Sequence, residues 1–166
     1  MASAQPIVQP SSLEMATSPS SVQPADIVGR RLRSGQMTKF GEGVRYTFEV
    51  FFDSRFSEDL SVDLIGESGS VQDKKLRIVS PIAHADFASA GIKESFIGWA
   101  GLRRKIVPTT HLIVKTPKKQ GDNPNPLHCD IIRENFRTKE HARALAYELA
   151  GHAEKSNLFV ADPLPK

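Results

Sequence analysis

Gly66-Glu67-Ser68-Gly69-Ser70 is the stretch nearest to a nucleophile elbow, the G-x-S-x-G turn that lifts a serine between a strand and a helix. Here the second glycine follows the serine directly, and the surrounding residues read as a hairpin loop, so no acyl transfer is expected from it. His128 and Cys129 are adjacent, and adjacent residues of a strand point to opposite faces, so they share neither a metal nor a proton. His84, His111, His141 and His152 have no His or Cys partner at ligand spacing. Gly41-x-Gly43 is too short for a dinucleotide fingerprint, and the chain has no P-loop. Glu58, Asp59 and Asp63 read as a solvated strand edge and its turn. These residues point away from an enzyme, and neither a cofactor nor a metal is expected.

The basic residues carry more information than the acids. Net charge is only +3, but it is segregated along the chain. Eight acids lie between Glu42 and Asp73 against Arg45 and Arg55. Segment 95–121 has no acid and holds Arg103, Arg104, Lys105, Lys115, Lys118 and Lys119; segment 27–41, also without acid, holds Arg30, Arg31, Arg33 and Lys39. Such segregation implies a folded surface with a positive side, or acidic and basic strands that pair across a sheet. Within "SFIGWAGLRRK", Phe96 and Trp99 precede the basic run, a mixture that stacks bases in some proteins and packs a core in more. Arg30, Arg31, Arg33, Arg103, Arg104, Lys105, Lys115, Lys118 and Lys119 are therefore the candidate binding residues. "TPKK" from Thr116 and "SPS" from Ser18 have the form of proline-directed phosphorylation sites.

These residues must be positioned by a single domain. Residues 1–28 hold six Ser and four Pro and show no apolar period, which predicts a disordered tail or a targeting segment of organellar type. Residues 29–166 then form one globular domain, with order setting in near Gly43. "VRYTFEVFF" and "LSVDLIG" both alternate, and they are expected to pair as a hairpin across "DSRFSED". "KKLRIVS" reads as a third strand ending before Pro81, and "IAHADFASAG" as one or two helical turns. Short strands are expected at 95–100, 103–107, 111–115 and 127–132, the middle two as a tight hairpin bringing Arg103 and Lys115 together. The insert 116–126 is an oversized hairpin loop in which Pro117, Pro124 and Pro126 stop the ladder. Ala142, Leu145, Ala146, Leu149, Ala150 and Ala153 recur at helical spacing behind Thr138, predicting a helix over 138–154 that lies close against a sheet.

The expected fold is α+β: an antiparallel β-sandwich or partly open barrel of about six to seven strands closed by a C-terminal amphipathic helix. With its hairpin, the aromatic Phe136, a polar turn and an alanine-faced helix, "HLIVKT…LHCDIIRENFRTKEHARALAYELAGHA" resembles the pleckstrin-homology and phosphotyrosine-binding superfold. The resemblance implies a recognition module. The helix lacks the tryptophan many of its members carry, and no basic phosphoinositide motif lies between the first strands, so membrane lipid is not the expected ligand. The expected function is a non-enzymatic adaptor or assembly subunit that recognises a protein segment through its sheet edge, C-terminal helix and basic surface. The alternative is a nucleic-acid-binding subunit that uses segments 27–41 and 95–121. One cysteine and the lack of a secretory leader point to the cytoplasm or nucleus, or to an organelle if the N-terminus is a transit peptide.

Overall fold

In a computed structural model of the chain, which describes residues 21–52, 58–120, 123–134 and 137–162, the middle strand is β1 (Ile27–Arg33). Val28 and Leu32 face one layer of core and Ile27 the other, as a period of two requires. The chain then makes a separate hairpin, β2 (Met37–Phe40) and β3 (Gly43–Tyr46), followed by a short 3-10 turn at Phe48–Phe51. β4 (Leu60–Glu67) and the small β5 (Ser70–Val71) lead into helix α1 (Asp73–Ser89). β6 (Phe96–Arg103), β7 (Ile113–Lys115), β8 (His128–Ile131), helix α2 (Lys139–Ser156) and β9 (Phe159–Ala161) complete the order.

Seven strands form one antiparallel sheet in the order β7-β8-β4-β1-β6-β9, with β5 beside β4. The fold is thus α+β with a C-terminal helix on an antiparallel sheet, and the sheet stays open. α2 packs Leu145, Ala146, Leu149, Ala150 and Ala153 with Val28, Leu32, Leu60, Val62 and Leu102. Each buried leucine contributes about 1.5–3 kcal/mol, and the alanines let the helix axis come close to the strands. The Thr138 side chain caps the first turn by accepting from the His141 N–H, and Asn157, in the left-handed region at φ 51°, closes the last. α1 covers the opposite face, with Leu76, Val79 and Ala83 against Ile27, Ile65, Phe96 and Trp99. Gly29 is what lets Trp99 cross β1, since a Cβ there would stand 2.8 Å from the Trp99 Cβ. None of the described helices is long and apolar enough to cross a membrane.

Several local expectations are overturned. "KKLRIVS" is helical: Leu76, Val79, Ser80 and Ala83 form a buried stripe, and α1 runs on through Pro81, which sits on its exposed side. The strand expected through residue 52 stops at Tyr46, and Phe48–Phe51 coils instead, which buries Val50 and Phe51 in the α2 layer. β3 pairs with β2, and β4 pairs with β1 and β8, so the expected hairpin between them does not form. Order begins earlier than Gly43. Val22 is buried and donates to the Ile113 carbonyl at 2.8 Å, and Ser21 bridges Val114, so 21–28 belong to the fold rather than to a tail. The expectations for 1–20, Ser18 included, for most of "DSRFSED" and for Phe136 lie outside the described residues. The 116–126 loop does join β7 to β8, but its ladder re-forms once, where Lys118 and Asn125, the residues that follow Pro117 and Pro124, exchange backbone hydrogen bonds.

Candidate functional site

The run Arg103-Arg104-Lys105 leaves the end of β6, and its three residues part company. Arg104 is buried, and its guanidinium donates to the carbonyls of Val107 (2.7 Å) and His111 (3.0 Å), holding the 104–111 turn together. This turn replaces the tight hairpin expected between 103–107 and 111–115, because β7 starts only at Ile113 and pairs with β8. Arg104 is therefore a structural side chain, removed from the candidate surface. Arg103 and Lys105 line an open groove of about 470 Å³, whose other walls are Pro24, Ala25, Asp26 and Ile27 on one side and Ser68 and Gly69 on the other.

The groove has fixed walls. Ser68 and Gly69 take φ of 55° and 80°, the two left-handed residues of a tight hairpin turn between β4 and β5. The Gly69 N–H donates to the Ala25 carbonyl at 3.2 Å, and Arg103 Nη1 donates to the Gly69 carbonyl. Asp26 is buried, accepts from the Gln23 N–H at 2.8 Å, and stands 3.9 Å from Lys115 Nζ. Arg103 and Lys115 thus come to the same neighbourhood, but through the N-terminal segment rather than through pairing: Arg103 lies opposite Ile27, and Lys115 opposite Cys129. Lys105 is exposed on the rim.

Arg30, Arg31 and Lys118 meet elsewhere, around a cavity of about 90 Å³ between β1 and β4. The two strands pair from Ile27 to Gly29 and then diverge, β1 continuing along β6 and β4 along β8. Arg30 fills part of the gap, donating to the Val50 carbonyl at 3.0 Å and the Ser61 carbonyl at 2.7 Å. Arg31 forks onto Asp63 (2.8 and 3.1 Å) and reaches Asp86 of α1 at 2.5 Å. For this part of segment 27–41, pairing of acid with base across the sheet is the arrangement found. Arg33 and Lys119 are exposed and line neither cavity.

Asp63 is the residue that sequence reading placed wrongly. Instead of a solvated edge it is 1% exposed and accepts four hydrogen bonds, from Arg31 Nε and Nη2, Trp99 Nε1 (2.8 Å) and Asn125 Nδ2 (2.9 Å). The available signal was a lone Asp at the centre of an otherwise apolar period-two strand. Other chemistry-bearing groups are tied up in structure. Burial pushes the Cys129 thiol up to about 12, which leaves no thiolate near neutral pH. Ser80 and His84, one helical turn apart on α1, both bind the Asp162 carboxylate; a triad needs the imidazole in the middle, and here the carboxylate occupies that place. Thr116, of the "TPKK" stretch, donates its hydroxyl proton to Asp130 at 2.9 Å.

His128 lies between the loop and the cavity. Its Nδ1 is 3.0 Å from the Thr116 carbonyl, so that nitrogen carries the proton. Burial lowers its pKa below the ordinary imidazole value; Asp130 opposes this and the Lys118 charge adds to it. Because the folded-state pKa is the lower one, the unfolded chain takes up this proton first as pH falls. The stability it contributes is full above about pH 6.5 and declines as pH drops below that, levelling off under the folded pKa. Urea midpoints taken on both sides of this window are expected to fall more steeply toward acid in the wild type than in His128→Gln. Equal slopes would show that His128 does not titrate as described.

On the α2 face, Tyr147 is 60% exposed and stacks on Phe48 at 4.6 Å, with Phe52 beside it and the Arg143 guanidinium 5.9 Å from the Phe52 ring centre. Glu148 on the same helix accepts from His111 at 2.9 Å and His152 at 3.4 Å; burial would raise its pKa, but the two imidazoles outweigh that and hold it below the usual carboxylate range. No group of His, Cys, Asp and Glu among the described residues is arranged to hold a metal. No protein-family model matches the chain, and no curated protein or solved structure is significantly similar to it.

Proposed function

We propose that the chain is a non-enzymatic adaptor or assembly subunit whose groove beside Arg103 and Lys105 takes an acidic segment of a partner protein. The observation that carries this reading is the groove itself: it is open, has walls tied by hydrogen bonds of the Gly69 backbone to Ala25 and Arg103, and among the described residues is lined by two cations against one carboxylate, Asp26, that already faces Lys115. An Arg and a Lys two residues apart suit carboxylates spaced along an extended peptide. The sheet edges serve this role less well. Ser21 and Val22 lie along β7, and the Phe159 ring of β9 lies under Lys39. A nucleic-acid backbone would call for a continuous basic stripe, whereas here Arg104 is buried and Arg30, Arg31 and Lys118 gather at a different cavity. Among the described residues, the stack of exposed Tyr147 on half-buried Phe48, with Arg143 nearby, favours nucleic acid.

Fluorescence anisotropy with Glu/Asp-rich peptides and with single-stranded RNA separates the two. Acidic peptides are expected to bind the wild type and to lose about tenfold or more in affinity with Lys105→Glu and Arg103→Glu combined, while the thermal midpoint stays within a few degrees. RNA binding with a steep salt dependence, untouched by those changes but lost in Tyr147→Ala, would replace this reading with the nucleic-acid one.

A further inference from the structure

Helix α2 carries one residue that its own packing does not call for. Gly151 lies well inside the helix, on the side away from the buried stripe of Leu145, Ala146, Leu149, Ala150 and Ala153. Glycine weakens a helix interior relative to almost any other residue, because it has more backbone freedom to lose. Elsewhere in this fold a close approach offsets that loss, as at Gly29, where Trp99 crosses the strand. At Gly151 a Cβ would meet no atom within 4 Å. No described part of the chain uses the close approach that this glycine permits.

The residues around it differ from one flank of the helix to the other. Tyr147, one turn before Gly151, is 60% exposed, and its ring lies on half-buried Phe48 with half-buried Phe52 beyond. Glu148 and Lys155 share the other flank, three residues before Gly151 and four after it. Lys155 is exposed and forms no ion pair among the described residues. Glu148 is exposed as well; it accepts from His111 and His152 and keeps lone pairs to spare. Ala144, two turns before Gly151, is small and exposed, so no bulky side chain stands between these flanks.

We infer that two copies of the chain pair through this face, α2 against α2, antiparallel about a two-fold axis at Gly151. Antiparallel pairing sets residues before Gly151 in one copy beside residues after it in the other, and brings like flanks together. The aromatic flank of Tyr147, Phe48 and Phe52 then covers its own copy. On the other flank, Glu148 of each chain meets Lys155 of the second, twice over by symmetry. A parallel pair would set the aromatic flank of one copy against the charged flank of the other. The two missing side chains at Gly151 let the helix backbones touch at the axis. This face is separate from the groove beside Arg103 and does not rest on the proposed peptide binding.

Sedimentation velocity of the whole chain, at low ionic strength and rising concentration, tests the inference. Wild type is expected to pass from monomer to dimer. Lys155→Glu and Glu148→Lys are each expected to weaken self-association about tenfold or more, because each places like charges at both contacts. Mixed in equal amounts, they should associate with each other about as well as wild type does, since one chain then brings only acids and the other only bases. Gly151→Gln fills the notch with a better helix former. It should raise the thermal midpoint of dilute protein by a few degrees and still weaken the dimer about tenfold, a loss that unfolding does not explain. Should Glu148→Lys fail to fold, Lys155→Glu and Gly151→Gln decide the matter. A chain that stays monomeric at every concentration would overturn the inference. So would a Gly151→Gln or Lys155→Glu dimer as tight as wild type, or a mixture of folded charge variants that associates no better than its components.

Discussion

Asp63→Ala is expected to destabilise the protein by about 3–5 kcal/mol, the cost of removing one member of a buried charge pair while its partners stay behind. The carboxylate is 1% exposed and is the common acceptor for Arg31, Trp99 Nε1 and Asn125 Nδ2. Without it the Arg31 guanidinium keeps only Asp86 of α1, and the buried indole N–H has no acceptor. The loss reaches further than one pair, because these partners come from β1, β6 and the 116–126 loop. Asp63→Asn keeps an oxygen but turns one acceptor into a donor facing Arg31 or Trp99, and should recover only a part. Urea unfolding measures both, and an Asp63→Ala protein within about 1 kcal/mol of wild type would mean that the network is not closed as described.

Leu149→Asp is expected to cost a comparable amount, about 3–5 kcal/mol, for a different reason. Leu149 is fully buried in the α2 layer, and an aspartate there meets only apolar neighbours. Arg143 on the exposed side of the same helix lies over the Phe52 ring, so Arg143→Ala should change stability by less than about 1 kcal/mol. Denaturant midpoints for the two variants check the orientation of the helix directly. Similar losses from both would place the helix on its side.

The helix that these variants probe was legible in the sequence because three independent signals agree: Thr138 as a cap, the Ala/Leu stripe and its charged opposite face. β4 and β8 were legible because Leu60, Val62 and Leu64, and Cys129 and Ile131, alternate toward the α2 layer. α1 was not, since Leu76, Ile78 and Ser80 alternate as well as a short strand would, and Pro81 reads as a stop. The helix continues because the stripe Leu76, Val79, Ser80 and Ala83 has a second sheet face to bury against. β1 escaped notice because Arg30 and Arg31 interrupt its apolar positions. Both are accommodated by groups far away in sequence, Ser61 for Arg30 and Asp63 for Arg31, a partnership that no local window contains. The candidate site divided for the same reason: Arg103, Arg104 and Lys105 all count as binding residues by type alone, and the backbone carbonyls of the 104–111 turn claim the middle one.

Whether the groove of Arg103 and Lys105 takes an acidic protein segment is decided by placing a photo-crosslinking residue at Lys105 and irradiating with the best-binding acidic peptide. Lys105 is exposed on the groove rim, so the substitution leaves the walls intact. A cross-link to the acidic stretch of the peptide is expected, competed away by unlabelled peptide and absent when the same probe is placed at Lys119, which lies outside the groove. Equal cross-linking from Lys119, or a peptide that binds without ever joining to position 105, would contradict it.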